Sequence, residues 1–207
     1  MAGRGYIWRR LTEEQREEVL AERRERGRPW HSPPHWDVEG RARFHITAAC
    51  YEHSPIIGVT GERMSQFSDD LLGECGQDSE THIYAWCVLP NHYHVLLQTG
   101  DISGLLTRIG RLHGRTSYGW NLEEEAKGRK VFYRAVETRM KSEGHFWATL
   151  NYVHHNPVRH GYVERWQEWP WSSAAAYLER VGRGEAERIW RDYPVGDYGE
   201  EWDRPEM

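Results

Sequence analysis

Two histidines, His92 and His94, stand one residue apart in the stretch Pro90-Asn91-His92-Tyr93-His94-Val95-Leu96-Leu97. In a β-strand, residues i and i+2 point to the same face, so the two imidazoles would project side by side with Tyr93 on the other face. A pair of imidazoles at that spacing can hold one divalent metal and leave coordination positions open for chemistry. A solvated or structural histidine pair would carry the same pattern, and the spacing alone does not choose between them.

A second constellation follows about sixty residues later, in His145-Phe146-Trp147-Ala148-Thr149-Leu150-Asn151-Tyr152-Val153-His154-His155-Asn156-Pro157-Val158-Arg159. Tyr152 and Asn156 are four residues apart and share a helix face. A phenol can act as a nucleophile and form a covalent intermediate. A carboxamide one turn on can complete a metal site begun by two histidines. A buried tyrosine beside a capping asparagine would look the same in sequence.

These residues need elements to hold them. Phe44, Ile46 and Ala48 alternate with His45, Thr47 and Ala49, which predicts a strand over Arg41–Cys50. Met64–Glu74 reads as a helix, with Phe67, Leu71 and Leu72 on one side. His82–Leu89 and His92–Thr99 read as strands joined by a tight turn at Pro90-Asn91. A helix capped by Asp101 or Ser103 runs to about Leu122, a strand covers Val131–Thr138, and a helix covers Glu143–His155, stopped by Pro157. The order β-α-β-β-α-β plus a further helix predicts an α+β, ferredoxin-like antiparallel sheet with helices on one face. His92 and His94 fall on a central strand, and the other sheet face is left open for a ligand.

Upstream, Leu11–Arg26 reads as a charged helix started by Thr12, and Gly27–Asp37 as an extended connector. Trp30 and Trp36 in that connector, flanked by His31 and His35, suit either stacking on single-stranded bases or packing. Three domains follow: an N-terminal extension and connector over 1–40, a core over 41–178, and an acidic, aromatic tail over 179–207.

In sequence order, four segments resemble the single-tyrosine HUH transposases, and among them the REP-associated tyrosine transposases. They are Arg43-Phe44-His45-Ile46-Thr47, Ala85-Trp86-Cys87-Val88-Leu89-Pro90-Asn91-His92-Tyr93-His94, Asn151 to Gly161, and Trp169-Pro170-Trp171-Ser172-Ser173. The likeness runs from about Gly40 to Leu178 and leaves both ends unmatched. It implies His92, His94 and Asn156 as ligands of Mg²⁺ or Mn²⁺ and Tyr152 as the nucleophile. It also implies cleavage and strand transfer of single-stranded DNA through a 5′-phosphotyrosine, on hairpin-forming repeat DNA and without a nucleotide cofactor. The expected protein is a monomer or homodimer in a bacterial cytoplasm, nucleoid-associated when bound to DNA. The alternatives are a hairpin-binding module that has lost cleavage, and a metallohydrolase in which Tyr152 is only structural.

Composition agrees with a soluble chain. Of its 207 residues, 29% are charged and 38% apolar, and no apolar run reaches membrane-spanning length. The three cysteines, Cys50, Cys75 and Cys87, form no metal-type spacing and suit buried thiols in a reducing compartment. The net charge of −5 is unevenly spread: residues 41–100 sum to −4, residues 101–170 to +3 and residues 171–207 to −4. The basic segment supplies candidate phosphate contacts at Arg108, Arg111 and Arg115 on one helix face, and at Arg134 and Arg159. Arg139 and Lys141 are weaker candidates of the same kind. His154, His155 and His160 surround the tyrosine in sequence and could orient phosphate or simply be solvated. Trp166, Trp169 and Trp171 suit packing against the tyrosine helix. The tail mixes acids with Trp190, Tyr193, Tyr198 and Trp202. It either covers the core or folds over the basic surface in imitation of a DNA strand.

Overall fold

The computed structural model describes residues 40–196 and Tyr198, together with Thr12, Glu14, Gln15, Glu17, Glu18 and Ala21. The chain divides into a unit of residues 1–37 and one of residues 38–207. In the first, Glu14, Gln15, Glu17, Glu18 and Ala21 are helical. Thr12 caps them as expected: its Oγ1 accepts from Gln15 N at 3.3 Å, while Gln15 Oε1 accepts from Thr12 N at 2.9 Å. The predicted connector, with Trp30 and Trp36, lies outside the described residues, as does Trp202.

The second unit is built on four antiparallel strands: β1 (Ala42–Ala49), β2 (His82–Val88), β3 (His92–Thr99) and β4 (Val136–Arg139), in the order β2-β3-β1-β4. This is the expected ferredoxin-like order, with β3 and β1 in the centre. The pleat sorts the side chains. Phe44, Ile46, Ala48, Tyr93, Val95 and Leu97 share one face, which α1 (Gly61–Gly76) and α2 (Ile102–Glu123) cover. There Phe67 packs on Tyr93, Trp120 and Phe132. His45, Thr47, His92, His94 and Leu96 share the other face.

That other face is not open, contrary to the sequence expectation. The helix α3 (Glu143–Arg159) lies across β2 and β3, and Tyr152, Val153 and Asn156 are buried there. This helix also outruns its predicted end: Pro157 lies inside it. A proline in the last turn forfeits one backbone hydrogen bond. Here it is buried, and the turn is closed by His160 N donating to Asn156 O at 3.0 Å and Tyr162 N to Pro157 O at 2.9 Å. Gly161, at φ +72°, then takes the chain out of the helix.

The predicted strand over Val131–Thr138 is shorter than expected. Only Val136–Arg139 pairs regularly with β1, while Phe132 makes an isolated bridge to Cys50. Phe132 turns inward to stack on His113 at 4.2 Å and on Phe67 at 5.4 Å, and that packing breaks the alternation a longer strand would need.

The chain after α3 seals the edge of β2. Val88 N donates to Trp171 O at 2.8 Å and Ser173 N to Trp86 O at 3.0 Å, so this segment satisfies backbone groups that an edge strand would otherwise expose. Trp166 packs on the tyrosine helix as expected, its ring 5.9 Å from that of His154, whereas Trp169 Nε1 donates to Val88 O of β2 at 2.8 Å and Trp171 Nε1 to Ser65 Oγ of α1 at 3.0 Å. Two short helices follow, α4 (Ala174–Val181) and α5 (Arg183–Asp192). Ala186 and Ile189 of α5 are buried, and Asn151 Nδ2 donates to Tyr193 O at 2.8 Å, so this part of the acidic tail covers the core. All three cysteines are buried thiols.

Candidate active site

The two histidines sit at the start of β3, directly after the Pro90-Asn91 turn. That turn is held tightly. Gly58 N donates to Pro90 O at 2.9 Å, and a Cβ at Gly58 would come within 2.3 Å of Pro90 Cβ. Only glycine allows so close an approach. Glu52 and His53, at φ 56° and 52°, form a left-handed turn opposite. This conformation is costly for non-glycine residues and recurs at functional sites. The carbonyl of His53 accepts from Asn91 Nδ2 at 3.1 Å.

That bond orients the Asn91 amide. Its Oδ1 then faces His92 Nδ1 at 2.7 Å, and an amide oxygen can only accept, so His92 Nδ1 carries a proton. The other nitrogen, His92 Nε2, lies 3.1 Å from Asn156 Oδ1 on α3. Next to it, His94 Nε2 lies 3.5 Å from the Tyr152 hydroxyl, and its Nδ1 lies 3.1 Å from His45 Nε2. The rings of His92 and His94 are 5.0 Å apart, and that of Tyr152 is 5.1 Å from His94. The structure thus brings together all four residues singled out for metal and nucleophile: His92, His94, Tyr152 and Asn156.

The donor set fits a small divalent cation. With the proton on Nδ1, His92 presents a lone pair at Nε2 to the amide oxygen of Asn156, and two acceptors 3.1 Å apart can share one cation. Ligands of one Mg²⁺- or Mn²⁺-sized ion sit about 3 Å from one another. Among the described residues there is no cluster of three or more His, Cys, Asp or Glu suited to a metal; beside the two histidines, the amide oxygen of Asn156 is a donor of another type. The phenol is shielded as the protein stands: Tyr152 is 1% exposed.

The flanking histidines separate into different roles. His160 lies at the site, its ring 4.9 Å from that of His92. His154 points away, with Nε2 2.9 Å from Ser173 Oγ, and burial pushes its pKa down to about 3. His155 packs on Trp190 at 4.7 Å.

Three of the five candidate arginines lie elsewhere. Arg108, Arg111 and Arg115 are on α2, across the sheet from Tyr152. Two of them are engaged in holding α2 to α1: Arg115 Nη2 is 2.7 Å from Glu74 Oε1, and Arg108 Nε donates to Glu74 O at 3.3 Å. Arg111 is exposed. Arg134 precedes β4 and is exposed, while Arg159 ends α3, three residues beyond Asn156.

Three residues at the site escaped the sequence reading of roles. His45 and Asn91 stand behind the two histidines. The signals for His45 are its place on the polar phase of β1 and within the segment Arg43-Phe44-His45-Ile46-Thr47 that carries the family resemblance, neither of which assigns it a role. Tyr198 packs on Tyr152 at 4.9 Å, and its hydroxyl lies 3.1 Å from Thr149 Oγ1. In the sequence it stands out only as one aromatic of the tail.

No family model matches the chain. Over 99 residues it is 29% identical to the Haemophilus influenzae protein named "Putative REP-associated tyrosine transposase", covering 43% of this chain and 56% of that one. The match therefore spans little more than half the length of that relative. A solved structure described as a REP-associated tyrosine transposase bound to a REP hairpin superposes with a TM-score of 0.57, at 18% identity, over 73% of this chain and 87% of that one. The four-stranded α+β architecture is the fold of that protein.

Proposed function

We propose that this chain, which resembles the REP-associated tyrosine transposases in sequence and in fold, is a metal-dependent transferase of single-stranded DNA. The observation that carries the reading is the meeting of Tyr152 and Asn156 with His92 and His94, within 3.5 Å across two elements far apart in sequence. In this reading His92, His94 and Asn156 hold a Mg²⁺ or Mn²⁺ ion. When bound, the ion would polarise the scissile phosphate and stabilise its developing charge.

Tyr152 supplies the nucleophile. Its oxygen forms a bond to phosphorus as the bond to the 3′-oxygen breaks. The phenol gives up its proton, and the departing oxygen gains one to become a free 3′-hydroxyl. The DNA 5′-phosphate remains on Tyr152 as a phosphodiester. Because that bond retains the energy of the one broken, the 3′-hydroxyl of another strand can reverse the step without a nucleotide cofactor. The α3 scaffold fixes the distance between nucleophile and ligand, since Tyr152 and Asn156 are one helical turn apart.

The substrate read from the resemblance is a hairpin-forming repeat. Its single-stranded flank must reach a phenol that is buried here, so the rings over Tyr152 must move aside for DNA. Arg111, Arg134 and Arg159 are the proposed phosphate contacts. The protein would act as a monomer or homodimer on DNA in the cytoplasm. Among the described residues no helix is long and apolar enough to cross a membrane.

Incubation with labelled single-stranded repeat DNA and Mn²⁺ tests the proposal. A denaturation-resistant adduct, lost in Tyr152→Phe, is the expected result. Cleavage without an adduct would make the protein a hydrolase, and binding without cleavage would make it a hairpin-recognition module.

A further inference from the structure

Both histidines of the proposed metal pair are held from behind through the same ring atom. His92 Nδ1 lies 2.7 Å from Asn91 Oδ1, and His94 Nδ1 lies 3.1 Å from His45 Nε2. Both Nε2 atoms turn toward α3, one to Asn156 and the other to Tyr152. We infer that His45 and Asn91 are positioning residues, which accept a hydrogen bond from Nδ1–H of His94 and of His92 and so keep both Nε2 lone pairs aimed into the site. The assignment deepens the proposed metal-dependent transfer and rests on that reading.

A neutral imidazole carries its proton on one nitrogen and its lone pair on the other. Whichever nitrogen donates to a neighbour leaves the other as the ligand atom. For His92 the orientation is set by a chain of contacts. The left-handed turn at Glu52-His53 presents a carbonyl, that carbonyl accepts a hydrogen bond from Asn91 Nδ2, and the Asn91 oxygen is left for His92. For His94 the device comes from the neighbouring strand. Sheet register sets Thr47 opposite His94 and His45 opposite Leu96. His45 is therefore the diagonal neighbour of His94 on the same face, within reach of a ring.

His45 is 1% exposed, so its ring cannot swing to water. Its ring packs edge-on to Tyr152 at 6.0 Å, while its Nε2 meets His94 at Nδ1, the ring atom opposite the one that faces the Tyr152 hydroxyl, which suits an acceptor rather than a third imidazole ligand. Burying another histidine is costly unless its polar atoms are used. Removing partners of this kind characteristically weakens metal binding about 10–100-fold.

The test has two arms on the full-length protein. In the first, ¹⁵N chemical shifts of the histidine rings are recorded without metal. The Nδ1–H tautomer is expected for both His92 and His94, and an Nε2–H tautomer at either would overturn the assignment for that residue. In the second, Mn²⁺ is titrated calorimetrically. His45→Phe keeps the ring shape but has no acceptor, and it should weaken Mn²⁺ binding about 10–100-fold. His45→Gln can place an oxygen near the position of Nε2 and should restore most of that loss. In His45→Phe, the Mn²⁺ concentration for half-maximal adduct formation should rise by the same factor, with the rate at saturating Mn²⁺ largely recovered.

Equal Mn²⁺ binding by wild type and a folded His45→Phe would overturn the assignment of His45 while leaving the metal site intact. Equal losses in His45→Phe and His45→Gln would also overturn it, because the acceptor would then not be what matters. Absence of Mn²⁺ binding by the wild-type protein would overturn the metal reading itself, and this assignment with it. If His45→Phe does not fold, the ring shifts and His45→Gln decide the question.

Discussion

The ring of Tyr198 lies 4.9 Å from that of Tyr152, inclined at 59°, and its hydroxyl is 3.1 Å from Thr149 Oγ1 on the same helix. A residue of the acidic tail thus covers the proposed nucleophile. The segment just before it does something different: Ile189 is buried and the carbonyls of Ile189 and Tyr193 accept from Asn151. The tail therefore combines a core cover with a lid on Tyr152. Tyr198→Ala should leave the protein folded and speed adduct formation severalfold. Ile189→Ala should cost about 2–5 kcal/mol of stability with no gain in activity. Melting curves and single-turnover adduct assays on the two variants check this, and an unchanged rate in Tyr198→Ala would refute the lid.

Tyr152→Phe should abolish the covalent adduct while DNA affinity stays near wild type. The hydroxyl's hydrogen-bond distance to His94 is a long 3.5 Å, so its loss should change stability by no more than about 1 kcal/mol. An adduct that persists in this variant would assign the nucleophile to another tyrosine.

His92→Ala and His94→Ala should each remove Mn²⁺-dependent cleavage. Tyr93→Phe should not, because Tyr93 faces the opposite side of the sheet, where it contacts His113 at 3.0 Å. That change should cost about 1 kcal/mol of stability instead. Cleavage that survives chelation with EDTA would exclude a metal mechanism.

Acid should unfold the protein partly through His113. Burial lowers its pKa from 6.5 to about 4. The unfolded chain therefore takes up a proton below pH 6.5 that the folded one refuses until about pH 4. Stability should fall across that window by up to about 1.4 kcal/mol per pH unit from this group. His113→Phe, whose ring can still stack on Phe132, should show a flatter dependence of melting temperature on pH between 6.5 and 4. A slope identical to wild type would show that other groups govern the acid transition.

Single charge reversals should sort the arginines. Arg111→Glu, Arg134→Glu and Arg159→Glu should each lower the salt slope of DNA binding by about 1 wherever a phosphate contact is lost. Arg115→Glu should chiefly destabilise the fold, because it sets a like charge 2.7 Å from the largely buried Glu74. Filter binding at several salt concentrations, read beside melting temperatures, separates the two effects.

The local periodicities of this protein are written in its sequence. Alternation of Phe44, Ile46 and Ala48 with His45 and Thr47 predicts β1 and its two faces, and the spacings of His92 with His94 and of Tyr152 with Asn156 place each pair on one face of its element. These features depend on geometry within one strand or one helix, which residue spacing determines. The fate of the arginines, the lid and the proline does not depend on local geometry. Arg108 and Arg115 read as a basic stripe, yet the packing of α2 on α1 gives them Glu74 as a partner. Pro157 reads as a helix stop, yet burial and closure of the last turn carry α3 on to Arg159. His45 reaches His94 only because sheet register makes them diagonal neighbours, and Tyr198 reaches Tyr152 only because α5 packs against α3. Each of these depends on which distant surfaces bury one another, and that is settled by the three-dimensional fold rather than by the spacing of residues along the chain.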